Sequence, residues 1–176
     1  MKQLENILPL VNKIARAQQA LVKVYQGVWN MIDDGLQEDD VNEYLFDIIG
    51  RAAAREFKTW KPIIEIERRG DNTAGSYNHA EGRIKINTRL IDPAVAILDG
   101  DFLGAINCLS TVVHEMKHLE QWIYRPHIFD SYVDAMDDYD GYRNHISEVE
   151  ARQAEAEFRA KDRRIELMEY IGEMIS

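Results

Sequence analysis

Cysteine is almost missing: Cys108 is the only one in 176 residues. A lone thiol can form no intrachain disulfide and no cysteine-rich zinc knuckle, and it suits a reducing compartment. Long hydrophobic runs are missing too. No 18-residue apolar stretch occurs, and the opening "MKQLENILPLVNK" has no apolar run long enough for a signal-peptide core. The expectation is a cytoplasmic protein with no membrane partner. Positive charge is in short supply. With 21 Lys and Arg against 31 Asp and Glu, the net charge is -10, which argues against a nucleic-acid-binding surface. Internal repeats and low-complexity segments are absent. What remains is 45% hydrophobic and 30% charged, a globular balance, at a length that suits one domain with a sizeable core.

The apolar residues then set the order of elements. Leu4, Ile7, Leu8, Val11, Ile14, Leu21, Val24, Val28 and Ile32 recur at helical spacing, with Pro9 as an early start or kink and Gly35 just past the end. Asp40 with Glu43 three residues on reads as a capping box for a second helix, running to about Phe57. The period then changes to two. Residues 62–69 alternate Ile64 and Ile66 against Glu65 and Glu67, as a half-buried strand does. Residues 74–91 read as a hairpin turning at Gly82, with Ile84 and Ile86 inward and Arg83, Lys85 and Asn87 outward. Asp92–Pro93 starts a short helix, and Asp101 caps a long one that reaches Tyr124 and cannot pass far beyond Pro126. Residues 127–146 read as a polar, aromatic loop. The cluster "DDYDG" within it is no calcium loop, because Met136 and Ser147 stand where the first and last EF-hand ligands belong. Ser147 and Glu150 form a second capping box, opening one charged helix over residues 147–175.

The chemistry lies in "STVVHEMKHLEQW", residues 110–122, where His114, Glu115 and His118 have the spacing H-E-x-x-H. Residues four apart share one helix face, so both imidazoles can meet one zinc ion, and the intervening Glu can take a proton from water. The motif also arises by chance, and its surroundings separate the two explanations. At 100° per residue, Asn107, Ser110, Thr111, His114, His118 and Gln121 fall on one strip of a helix that is otherwise mostly apolar. A polar strip on a buried helix must face a partner that satisfies it: a metal, water or a cleft. A helical di-iron centre needs a second Glu-x-x-His pair, and none exists.

Two histidines leave zinc one protein ligand short. The metzincin pattern is excluded, since Gln121 and Tyr124 replace its Gly and third His. His127, Asp130, His145, Glu148 and Glu150 remain as candidates. "HEMKH" followed about thirty residues later by "SEVEAR" resembles the gluzincins, in particular the small single-domain minigluzincins and phage-type putative metallopeptidases. In that pattern a helical Glu-x-x-Ala-Asp/Asn element supplies the third ligand. The matching residues are Glu148 and Ala151, so the resemblance implies Glu148. Arg152 departs from the pattern, standing where its Asp or Asn supports a zinc-bound His. The resemblance covers roughly residues 62–160 and includes the hairpin, which is similar to the family's small sheet.

The resulting expectation is an α+β fold: a single, mostly helical zincin-like domain with a small antiparallel sheet packed on a central HExxH helix. Its parts are helices over 1–57, the sheet over 62–91, the active-site helix over 101–124 and a C-terminal helix over 147–175. The expected function is a zinc peptidase with Zn2+ on His114, His118 and Glu148 and with Glu115 as general base. Tyr142 is the preferred oxyanion donor, from a set that includes Tyr139, Arg143 and His145. The partner is a peptide or protein substrate, paired antiparallel along one strand of the hairpin, with Gly75 and Ser76 allowing close approach. The alternative is a binding module that kept the scaffold, with zinc as a structural pin. His79 reads as a surface hairpin residue.

Overall fold

The computed structural model describes residues 2–132, 139–160 and 163–176, without the side chains of residues 2–8, 10 and 139. Helix α1 (Lys2–Asp33) carries Pro9 inside it and runs on past that residue, without the backbone bond to the carbonyl four residues back that an N–H there would make. The apolar stripe of α1 is covered over only part of its length. Val11 and Ile14 are exposed, and continuous burial begins at Ala20, Val24 and Val28. Helix α2 (Glu38–Phe57) starts three residues earlier than the Asp40 cap predicted: Gln37 caps it, and its N–H donates to the Asp40 carboxylate at 3.1 Å.

Strands β1 (Ile63–Glu67), β2 (Gly75–Asn78) and β3 (Arg83–Asn87) form a sheet in the order β1-β3-β2. The hairpin β2–β3 is antiparallel, turning at Gly82 with φ +64°. β1 pairs with β3 in parallel, so the sheet is mixed where an antiparallel one was expected. The chain between β1 and the hairpin crosses back before β2 begins, and it leaves β3 in the centre. Ile84 and Ile86 point into the core as the alternation required. Asn87 does not point outward. It is buried, accepting from the Arg69 N–H at 3.1 Å and donating to the Thr73 carbonyl at 3.2 Å.

Helix α3 (Pro93–Leu98) is capped by Asp92 and α4 (Phe102–Tyr124) by Asp101, both as the sequence indicated. α4 is the central element. Ala105, Leu109, Val112, Met116 and Leu119 are fully buried among Leu45, Phe46 and Ile49 of α2 and Ile84 and Ile86 of the sheet. Each of the larger of these side chains contributes about 1.5–3 kcal/mol by leaving water. A 3-10 turn (Pro126–Phe129) and α5 (Tyr139–Asn144) occupy the predicted loop, part of which lies outside the described residues.

The C-terminal segment is two helices rather than one: α6 (Ile146–Phe158) and α7 (Arg164–Met174). The cap also differs from expectation. The His145 ring, not Ser147, accepts the first-turn amide of α6, and Glu150 is drawn away to Arg125 and Gln121. The architecture is thus α+β and mostly helical, with a small sheet on a central helix.

Candidate metal centre

The polar strip of α4 finds its partner in α6, which packs against it in the opposite direction. Ser110 donates to Glu155 at 2.9 Å, and one turn on the His114 Nδ1 lies 3.6 Å from the same carboxylate. His114 Nε2 and His118 Nε2 lie 3.4 and 3.2 Å from the two oxygens of Glu148. Gln121 closes the row by donating to the Ser147 carbonyl at 3.0 Å and to Glu150 at 3.1 Å. Every strip residue from Ser110 to Gln121 that faces α6 is met by a group of that helix.

Among the described residues, His114, His118 and Glu148 are the group that could hold a metal ion, with ligand atoms all within 4.8 Å of one another. The two Nε2 atoms are 3.2 Å apart. Ligand atoms about 2.0–2.1 Å from a tetrahedral ion would be separated by about 3.3–3.4 Å, so the two nitrogens are spaced to share one ion. The donor chemistry fits as well: two imidazoles and a carboxylate whose side chain is only 2% exposed. Burying that carboxylate without a cation is costly. Both rings are also oriented from behind, His118 Nδ1 by the Gln121 Oε1 at 3.0 Å and His114 Nδ1 by Glu155.

The electrostatics follow from this crowding. Burial alone would lower the pKa of His114, yet the Glu148 and Glu155 carboxylates outweigh it and raise the pKa to about 10. Glu148 is shifted the other way: its burial is overcome by both histidines, which hold it well below the usual carboxylate range. Glu115 is buried and is not one of the ligand group. Burial pushes its pKa up, against the pull of His118 and His114 and the Tyr77 backbone amide.

The site opens into a cleft of about 780 Å³. One wall is β2, with Gly75, Ser76 and Tyr77. The other is α4 and the aromatic residues that follow it, Phe129 and Tyr132. Gly75 lies so close to α4 that a Cβ there would meet the Thr111 Cγ2 at 2.7 Å and the Glu115 Oε1 at 3.1 Å. Bonded and non-bonded pairs alternate in an antiparallel ladder. Since the Asn87 N–H donates to the Ala74 carbonyl at 2.9 Å, Gly75 and Tyr77 turn their backbone groups away from β3, to the open side.

The other predicted residues divide. Tyr142 lines the cleft beside Tyr132, with 5.9 Å between ring centroids, and burial raises the pKa of both phenols. The Tyr139 side chain lies outside the described set. His145 is spent on Ser147 at 2.7 Å and Ser131 at 3.2 Å, and Glu150 on Arg125, while His127 and Asp130 are not part of the ligand group. Arg143 is exposed, and its carbonyl accepts from Arg152. His79 is a surface residue of the hairpin turn, but it also lines the cleft and stacks on Trp122. Two site residues escaped the sequence. Tyr132 donates to the Glu148 Oε1 at 2.9 Å, and Glu155 backs His114. The i+7 spacing from Glu148 to Glu155 was a signal for the second. Nothing local marked Tyr132 among the other tyrosines.

No helix among the described residues is long and apolar enough to cross a membrane. Compared with protein-family models, with curated proteins and with solved structures, the chain matches none.

Proposed function

We propose that this chain is a gluzincin-like zinc metallopeptidase, a cytoplasmic hydrolase that cuts peptide bonds. The observation that carries the proposal is the convergence of His114, His118 and Glu148, with ligand atoms within 4.8 Å of one another in an open cleft and the buried Glu115 beside them and outside the ligand set. Zinc in such a set activates water and polarises a carbonyl. The remaining work falls to side chains. Glu115, its pKa raised by burial, accepts the water's proton and returns it to the leaving amine. Tyr142, a phenol kept protonated by burial, donates a hydrogen bond to the developing oxyanion. The Tyr77 N–H is taken by Glu115, and the outward backbone groups of Gly75 together with the Tyr77 carbonyl offer an edge to an extended substrate, consistent with pairing antiparallel to β2.

The test joins metal analysis to turnover. The purified protein should bind one zinc per chain and cleave unstructured peptides. Glu115→Gln should keep the metal and lose cleavage by a factor on the order of 10² or more. Zinc bound with no peptide cleaved under any condition, and biological activity intact in Glu115→Gln, would favour the binding-module alternative.

A further inference from the structure

The cleft is unequal on its two sides of the metal ligands, and this bears on the substrate, resting on the peptidase proposal. β2 and α4 run in the same direction along it. Gly75 touches Thr111 and Glu115, while His79, four residues on, stacks against Trp122 with ring centroids 3.9 Å apart and planes 25° from parallel. Trp122 sits one turn beyond His118 and continues into Phe129, 5.7 Å away between centroids. The wall is therefore aromatic at the His79 end and small at the Gly75 end. Among the described residues no Lys or Arg lines the cleft. A core tryptophan would be buried, yet Trp122 is 37% exposed. A bare indole at the mouth of a cleft gains by being covered.

We infer that His79, Trp122 and Phe129 form a specificity subsite for one aromatic or large apolar side chain, on the amino-terminal side of the scissile bond. One helical turn is about 5.4 Å and an extended peptide advances about 3.3 Å per residue, so the subsite serves the first or second residue before the cut. The side follows from direction: a substrate antiparallel to β2 places its amino-terminal part at the His79 end. An acidic side chain gains nothing there, since no Lys or Arg among the described residues lines the wall to pair with it. Glycine leaves the rings uncovered.

Two measurements test this. Capped hexa-alanine peptides carrying Phe, Leu, Gly or Asp at each position in turn are titrated calorimetrically into zinc-loaded Glu115→Gln protein, and the same peptides are digested with the unaltered protein and sized by mass spectrometry. The best Phe peptide should bind about tenfold more tightly than its Gly counterpart, the size of one good aromatic contact. Trp122→Ala should erase that difference with zinc content unchanged, and His79→Ala, in an exposed turn, should reduce it even if Trp122→Ala fails to fold. Cleavage should fall directly after Phe or one residue further on. Equal affinity for Phe and Gly peptides, a loss in Trp122→Ala shared by all peptides, or cleavage before Phe overturns the inference. Phe preference in binding without any turnover supports the subsite and removes the peptidase proposal instead.

Discussion

Glu155 stands behind His114: its carboxylate lies 3.6 Å from Nδ1, on the far side of the ring from the nitrogen that faces Glu148. This accounts for the departure at Arg152. The family pattern that the chain resembles places a carboxylate or amide four residues after the third ligand, where this chain has Arg152. Arg152 instead pairs with Glu148 at 3.6 Å and donates to the Arg143 carbonyl. The supporting carboxylate comes from Glu155, seven residues after Glu148 and two turns along the same face of α6. Ser110 at 2.9 Å and Arg159 at 3.4 Å hold it in place. Glu155→Ala should therefore weaken zinc binding about 10- to 100-fold, the usual effect of losing a group that orients a ligand. Competition against a chromophoric chelator measures it; an unchanged affinity would leave Glu155 only its pairs with Ser110 and Arg159.

Removing a ligand should do more. His114→Ala, His118→Ala and Glu148→Ala should each abolish stoichiometric zinc by elemental analysis, while His127→Ala and Glu150→Ala should retain it. Zinc should raise the melting temperature of the unaltered chain. The gain follows the ratio of free metal to dissociation constant, about 2.7 kcal/mol at a hundredfold excess over that constant.

Glu115→Gln should separate stability from catalysis. Burial disfavours the charged form of this side chain, so a neutral amide of the same shape relieves that cost. The melting temperature should stay equal or rise while activity falls. A marked loss of stability would mean that Glu115 holds β2 in place.

Gly75→Ala should destabilise by about 1–3 kcal/mol, because its methyl would press on Thr111 and Glu115 of α4 and push β2 outward. Gly82→Ala, with φ +64° and open space around it, should cost only about 1 kcal/mol of backbone strain. Denaturant melts give both numbers. Only the first should also alter metal affinity or turnover.

Acid should loosen the α4–α6 contact. The Arg125 guanidinium holds Glu150 down to about 2, against an unfolded value near 4.3. A folded pKa below the unfolded one gives stability that is present above the unfolded value and lost as pH falls from about 5 toward 2. Glu150→Gln should flatten the pH dependence of unfolding in that window by about 1–2 kcal/mol, after allowance for the pair's exposure. A slope unchanged by the substitution would show the pair to be energetically neutral.

The sequence by itself determined most of the local elements and the candidate ligand pair. Asp92, Asp101 and Gly82 mark their caps and turn because those signals act within three or four residues. His114 and His118 were legible for the same reason: helical spacing alone puts them on one face. Other features depend on residues far apart in the chain, and only the tertiary structure decided them. The parallel pairing of β1 with β3, the burial of Asn87 and the break between α6 and α7 are of this kind. Glu148 belonged to both outcomes. Its i+4 spacing to Arg152 is that of an ordinary surface ion pair, and that pair exists, but packing α6 across the strip of α4 left the carboxylate 2% exposed and facing two imidazoles. Local periodicity states which side of a helix is polar; what that side meets is set by the helix that crosses it.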